Sequence, residues 1–354
     1  MIPLTILVST ASSIIFPGIA DLLRQNKLFN IRVIGMDADE KGGKAGWCDA
    51  FYQVPMGSEQ EQYIAAVLEI CDREEVDLIL PISDEECLAL SKYMETFVSR
   101  NVQVMVNDFK TTALALQKDR ALHFLEQKGI DVPSWMRPNS IEKTAAGLEM
   151  LGYPDEQVVV KPITARGSRG FWIINEQFDK LQYLKGRERI YLTKSWLMEI
   201  LEEAAEFPEL ILMEYLPGES YSIDILAEDG SMLACMPHKR LGHRWGRLDH
   251  AKISPKRTLT EMCAEIVKAF QFDNLVNIEL GISKEGNSLL IEINPRASAT
   301  LALNAYTGID LMHYAIAMKM GEEIELPLEQ PNNVEYAIFD RNVRLAETEN
   351  YYDE

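Results

Sequence analysis

Apolar and polar positions follow two different rhythms along the chain. Over the first hundred residues, short β-branched runs are separated by amphipathic stretches. The apolar runs are residues 4–9, 31–35, 50–54, 78–81 and 102–106, each the length of a strand buried on both faces. Residues 17–25, 59–74 and 84–100 carry apolar side chains at helical spacing between them. Strands and helices in this order predict an open, doubly wound, Rossmann-like α/β sheet. Ligands of such sheets sit beyond the carboxyl ends of the strands, which places residues 9–13, 37–39 and 81–84 along one edge. The first turn, Thr10 to Ser13, is not GxGxxG, so a dinucleotide site is not expected there.

After residue 110 the rhythm changes. Residues 111–128 predict one helix closed by Gly129. Residues 158–162, 210–215, 221–227, 233–237, 275–280 and 288–293 read as strands, and 258–270 and 311–320 as helices. Turn residues such as Pro217, Gly218 and Glu219 join strands into hairpins. The second half therefore reads as α+β, with a boundary near residue 110.

Composition narrows the functions. A chain of 354 residues with 47% hydrophobic and 25% charged residues has the balance of a globular protein of two or three domains. Its 35 basic and 55 acidic residues give a net charge of −20, which disfavours nucleic acid and anionic membrane as partners. Five cysteines without metal-ligand spacing read as reduced thiols, pointing to the cytoplasm. The opening run lacks a basic region and a cleavage site, so it reads as a strand rather than a signal peptide. No apolar stretch is long enough for a membrane span.

Four constellations carry chemistry. Lys161 leaves a valine-rich strand and enters a loop holding Arg166, Gly167, Ser168, Arg169 and Gly170, a composition that can close over phosphate. Glu292 and Asn294 are one residue apart and share a strand face; Glu279 on an adjacent strand would complete an oxygen-only set suited to Mg²⁺ held with a phosphate. A structural salt bridge between these carboxylates and Arg296 is the plainer reading. The densest positive charge, His238, Lys239, Arg240, His243, Arg244 and Arg247, suits phosphate or carboxylate, and equally a solvated basic loop. Glu214, Leu216 and Glu219 lie where an apolar strand meets a polar turn, a setting for a nucleobase and a ribose hydroxyl.

In this order, Lys118 with residues 129–133, Val160-Lys161-Pro162, Met213 to Glu219, Asn277-Ile278-Glu279 and Glu292 to Arg296 resemble the ATP-grasp superfamily, in its carbamoyl-phosphate-synthase-like carboxylate–amine ligase branch. The resemblance covers roughly residues 110–325 and implies a two-lobed ATP-grasp fold after the Rossmann-like domain. It implies units at 1–110, 111–212 (first lobe with the phosphate-covering loop) and 213–354 (second lobe with the metal site). It further implies ATP and Mg²⁺, two ions in all and replaceable by Mn²⁺. Lys118 and Lys161 would meet the phosphates under loop 164–170. Glu214 and Leu216 would hold adenine, and Glu219 the ribose. Glu279, Glu292 and Asn294 would hold metal. Arg296, Lys161 and Arg240 would act on the transferring phosphoryl group. The family's basic run begins here with His238. The implied reaction joins a small-molecule carboxylate to an amine through an acylphosphate, often in a homodimer. Alternatives are carboxyphosphate formation from bicarbonate, simple phosphotransfer, and nucleotide binding without turnover.

Overall fold

The structure, a computed structural model, describes residues 1–164, 171–179, 181, 184, 190–244, 247–326 and 334–337, with only the backbone of residues 44, 243, 244, 247 and 249. Three sheets organise them. In the first, strands β1 (Ile2–Val8), β2 (Phe29–Asp37), β3 (Ala50–Gln53), β4 (Leu78–Leu80) and β5 (Gln103–Val104) lie in the order β3-β2-β1-β4-β5, all parallel. This is the doubly wound arrangement, with helices such as Phe16–Arg24 and Gln60–Glu74 as crossovers on opposite faces. The sequence places its Val, Ile and Leu runs in these strands because both faces are covered.

The second sheet joins β6 (Trp135–Met136), β7 (Val158–Pro162), β8 (Trp172–Ile174), β9 (Tyr191–Leu192) and β10 (Leu210–Glu214) in the order β6-β10-β7-β8-β9. Strand alternation divides its side chains. Val158 and Val160 pack under helices Ile141–Met150 and Lys194–Glu203. Val159 and Ile163 pack toward helices Lys118–Gln127 and Arg257–Phe270. Lys161 lies between them in the period-two pattern, which sends its ammonium toward the third sheet.

The third sheet is antiparallel, with β11 (Ser220–Glu228), β12 (Ser231–Arg244), β13 (Arg247–Ile253), β14 (Asn274–Ile282), β15 (Ser288–Asn294) and β16 (Glu335–Ala337) in the order β15-β14-β11-β12-β13-β16. One face packs on helix Arg257–Phe270. The other joins the first sheet in a shared core that includes Ile6, Val8, Phe16, Leu226, Met236 and Leu311.

Three expectations need correction. The helix expected over 111–128 is two, Phe109–Ala115 and Lys118–Gln127, because Gln117 is extended and turns Lys118 inward. The helix expected over 84–100 is likewise broken, at Tyr93, into Asp84–Lys92 and Met94–Val98. The basic stretch from His238 continues strand β12 rather than forming a loop, since its alternation buries His238 completely.

Candidate active site

The face of the third sheet that meets the first sheet changes chemistry along its strands. Leu226, Met236 and Leu275 are apolar and buried. Two residues along each strand, on the same face, come Asp224, His238 and Asn277. Two residues further come Ser222, Arg240 and Glu279. Strand register then sets Glu279 opposite Glu292 and Asn277 opposite Asn294. The three oxygen-bearing residues expected to converge, Glu279, Glu292 and Asn294, therefore do share one patch.

A bulge tunes this patch. The register between β14 and β15 skips Ile291, passing from Glu279↔Glu292 to Leu280↔Leu290. A residue left out of the ladder has backbone groups to offer elsewhere. The Ile291 carbonyl accepts a hydrogen bond from Lys161 Nζ at 2.9 Å. Lys118 Nζ lies 3.0 Å from Glu292 Oε1 and 3.4 Å from the Ile163 carbonyl. The two lysines expected at the phosphates thus converge on β15 from different elements. Burial pushes the Lys161 ammonium down to about 8; Glu292 opposes that shift and Lys118 adds to it.

Each carboxylate of the patch has a cation beside it. Glu279 is paired with Arg240, and Glu292 with Lys118 rather than with Arg296. Arg296 reaches instead to the first sheet. Its Nε donates to Asp84 Oδ1 at 2.6 Å, its Nη2 to Asn294 Oδ1 at 3.2 Å and its Nη1 to the Ala297 carbonyl at 3.1 Å. Asp84 opens the helix after β4, at the sheet edge expected to meet ligand.

At the opposite end, β10 leads into the turn at 215–218. The Glu214 amide donates to the Ser134 carbonyl, and its carboxylate accepts from the Ser134 amide. Among the described residues, neither backbone group of Leu216 bonds another backbone group. The Gly218 amide bonds the Ile282 carbonyl at 3.0 Å, tying the turn to β14. Glu219 accepts from Lys239, Lys256 and Tyr221, and these donors hold its carboxyl down at about 2. Arg166, Gly167, Ser168 and Gly170, and the side chains of His243 and Arg244, lie outside the described residues.

The oxygen-only donor set suits a hard divalent cation. Among the described residues no three of His, Cys, Asp and Glu cluster as a metal site, so the set is two carboxylates and one amide. The cations at Glu279 and Glu292 compensate charge that burial would otherwise make costly.

Sequence reasoning does not foresee the contacts of Asp84, Asp224 and His238. Asp84 stands on an expected edge, but nothing near it in sequence signals its link to Arg296. Asp224 and His238, both essentially inaccessible, form a pair at 3.2 Å, with Tyr336 hydrogen-bonded to the far ring nitrogen. Only the strand alternation of 222–226 and 236–240 signals that these polar residues turn inward.

Known proteins resemble this chain in sequence and in fold. Residues 206–341 match the family described as ATP-grasp in the biosynthetic pathway with Ter operon, and residues 19–118 match the PylC-like N-terminal domain. A carbamoyl phosphate synthase large chain of Clostridium acetobutylicum is 25% identical over 276 residues, covering 74% of this chain; that stretch spans only 24% of the relative. Solved structures agree in fold. N5-carboxyaminoimidazole synthetase from Staphylococcus aureus complexed with ADP superposes with a TM-score of 0.67 at 14% identity, over 92% of this chain and 80% of its own. L-amino acid ligase from Bacillus licheniformis gives 0.61 at 14% identity, over 89% and 73%. With both family signatures present and the fold shared across both, the chain has an ATP-grasp domain preceded by a PylC-like N-terminal domain.

Proposed function

We propose that the protein is an ATP-dependent ligase that activates a small-molecule carboxylate as an acylphosphate and joins it to an amine. The observation that carries this reading is the convergence of Lys118, Lys161, Arg240 and Arg296 on a patch of Glu279, Glu292 and Asn294. The similarity to a carbamoyl phosphate synthase and an L-amino acid ligase supports it. In the reaction, a carboxylate oxygen attacks the γ-phosphorus, the β–γ bridge breaks and ADP leaves. The amine then attacks the acyl carbon, the acyl C–O bond breaks, phosphate leaves and the amine gives up a proton. Lys118 and Lys161 hold the phosphates, Arg296 and Arg240 meet charge on the transferring group, and positioning supplies most of the rate.

Glu279, Glu292 and Asn294 would hold Mg²⁺, which neutralises phosphate charge when bound. The same reading assigns adenine to Glu214 and Leu216 and the ribose to Glu219. Loop 164–170, with Arg166, Gly167, Ser168 and Gly170, would cover the phosphates. It takes residues 1–110, 111–212 and 213–354 as the working units, two Mg²⁺ ions replaceable by Mn²⁺, a cytoplasmic setting and a homodimer. No helix among the described residues is long and apolar enough to cross a membrane.

A second reading keeps the fold and makes bicarbonate the carboxylate, giving carboxyphosphate; the similarity to a carboxyaminoimidazole synthetase favours it. One experiment separates the two. Mg-ATP-dependent phosphate release is measured against carboxylic acids crossed with amines, with bicarbonate as a separate arm, and products are weighed by mass spectrometry. Release needing both acid and amine, with a product one water lighter than its parts, supports the ligase. Release with bicarbonate alone moves the reading to carboxyphosphate. Nucleotide binding without release under any condition overturns both.

A further inference from the structure

We infer that Asp224 is a positioning residue that fixes Arg296 and the metal strands from behind, so that the γ-phosphate finds them in place. This rests on the ATP-dependent reading above. Asp224 touches none of the proposed reacting groups. It is 1% exposed and collects five polar partners. Ser298 Oγ lies 2.6 Å and Asn277 Nδ2 2.9 Å from Oδ1. Thr300 Oγ1 lies 2.8 Å, Asn304 Nδ2 3.0 Å and His238 Nε2 3.2 Å from Oδ2.

What these partners have in common is their place in the chain. Asn277 stands two residues before Glu279 on β14 and accepts from Asn294 Nδ2 at 3.3 Å. His238 stands two residues before Arg240 on β12. Ser298 stands two residues after Arg296, and Thr300 and Asn304 lie on the turn and short helix that continue it. A single carboxylate therefore ties together three segments that each deliver a proposed site residue. Burial alone would raise this carboxyl; the nearby His238 ring and hydrogen bonds from Ser298 and Asn277 bring it below its ordinary value, so the group is held as an anion. A buried anion held from five directions is a fixed centre. Lys118 is held by Glu292 and the Ile163 carbonyl, and Lys161 by the Ile291 carbonyl, contacts that do not involve Asp224.

The test compares affinities for Mg-ADP and for the Mg complex of a non-hydrolysable β,γ-imido ATP, by calorimetry, in wild type and Asp224→Asn. The variant keeps the shape and removes the charge. The expected result is an ADP affinity within about twofold of wild type and a loss of about tenfold or more for the triphosphate analogue, the scale of one charged hydrogen bond. Equal loss for both nucleotides, or wild-type affinity for both, overturns the inference while leaving the ATP reading intact. A wild type that binds neither nucleotide overturns the ATP reading and the inference with it. If Asp224→Asn lacks a cooperative melt, the pair Ser298→Ala with Thr300→Ala decides. It leaves Asp224 and His238 untouched and frees only the Arg296 segment, and the same selective loss is expected; unchanged triphosphate affinity overturns the inference.

Discussion

At the scale of single residues, the patch on β14 and β15 is an arrangement of paired charges, which nucleotide would have to rearrange under the proposed function. Glu292 faces Lys118, and Glu279 faces Arg240. Replacing Glu292 by Gln removes the anion, leaves the side-chain volume and frees Lys118 of its partner. Mg-dependent ADP formation is expected to disappear while the fold survives; turnover equal to wild type would take Glu292 out of the metal set. Arg240→Ala is expected to raise the acid substrate's Michaelis constant or lower turnover, and unchanged kinetics would leave Arg240 a purely structural partner of Glu279. Lys161 gives a prediction in pH. Its ammonium is lowered by burial from an ordinary 10.5 to about 8, with Glu292 and Glu279 raising it and Lys118 lowering it. The folded chain thus gives up this proton before the unfolded chain does. The burial penalty is fully present below about pH 8 and is relieved as the pH rises toward the unfolded value, so this residue's contribution to stability increases there. Phosphate binding runs the other way, because it needs the charge. ADP affinity is expected to fall as pH rises through about 8, and Lys161→Met to bind weakly with no such slope. A pH-independent affinity in the wild type would exclude Lys161 from phosphate contact.

At the scale of elements, the proposed adenine turn depends on close approach of two backbones. A Cβ on Gly218 would lie 2.7 Å from both the carbonyl oxygen and the Cβ of Ile282, so the turn has to move before alanine fits. Gly218→Ala is expected to cost about 1–3 kcal/mol, the range for overpacking. It is also expected to weaken ADP several-fold; a melting temperature and affinity equal to wild type would show slack in the turn. Such elements are legible in the sequence wherever one strand carries its own signal. Period two places Glu292 with Asn294, and a valine-rich run places Lys161 at a strand end. The break before Lys118 is not legible, because the local pattern of 111–128 is helical throughout, while the partners of Lys118, Glu292 and the Ile163 carbonyl, lie far away in sequence. The course of β12 through the basic stretch is hidden for a similar reason. Charged residues signal exposure, and here His238 turns inward to Asp224 on the adjacent β11, and Arg240 to Glu279 one strand further, on β14. The bulge at Ile291 leaves no mark in composition at all.

At the scale of the whole molecule, the first sheet is built into the site rather than appended to it. Its core is shared with the third sheet through Phe16, Leu226, Met236 and the helix Leu311–Lys319. Its helix Asp84–Lys92 begins against the residues that follow β15. Asp84 binds Arg296 from 212 positions away, and Cys87 Sγ contacts the Pro295 carbonyl at 3.4 Å. No local pattern could join residues so far apart in sequence. The ion pair is mostly shielded, with both side chains 15% exposed. Removing one member of a shielded pair leaves the other charge uncompensated, at a cost of about 3–5 kcal/mol when burial is complete and less here. Asp84→Ala is therefore expected to lower the melting temperature and to depress turnover, since Arg296 loses the contact that aims it. The shared core adds a condition on the shape of the melt. If the first and third sheets unfold together, calorimetry of Asp84→Ala shows the main transition displaced but not divided. A separate low-temperature transition for the first sheet would mean that Asp84–Arg296, rather than the apolar interface, holds the two together. Apolar burial outweighs the ion pair, because at least six fully buried side chains cross that boundary while the charges make one contact. A displaced, undivided transition is the outcome this balance requires.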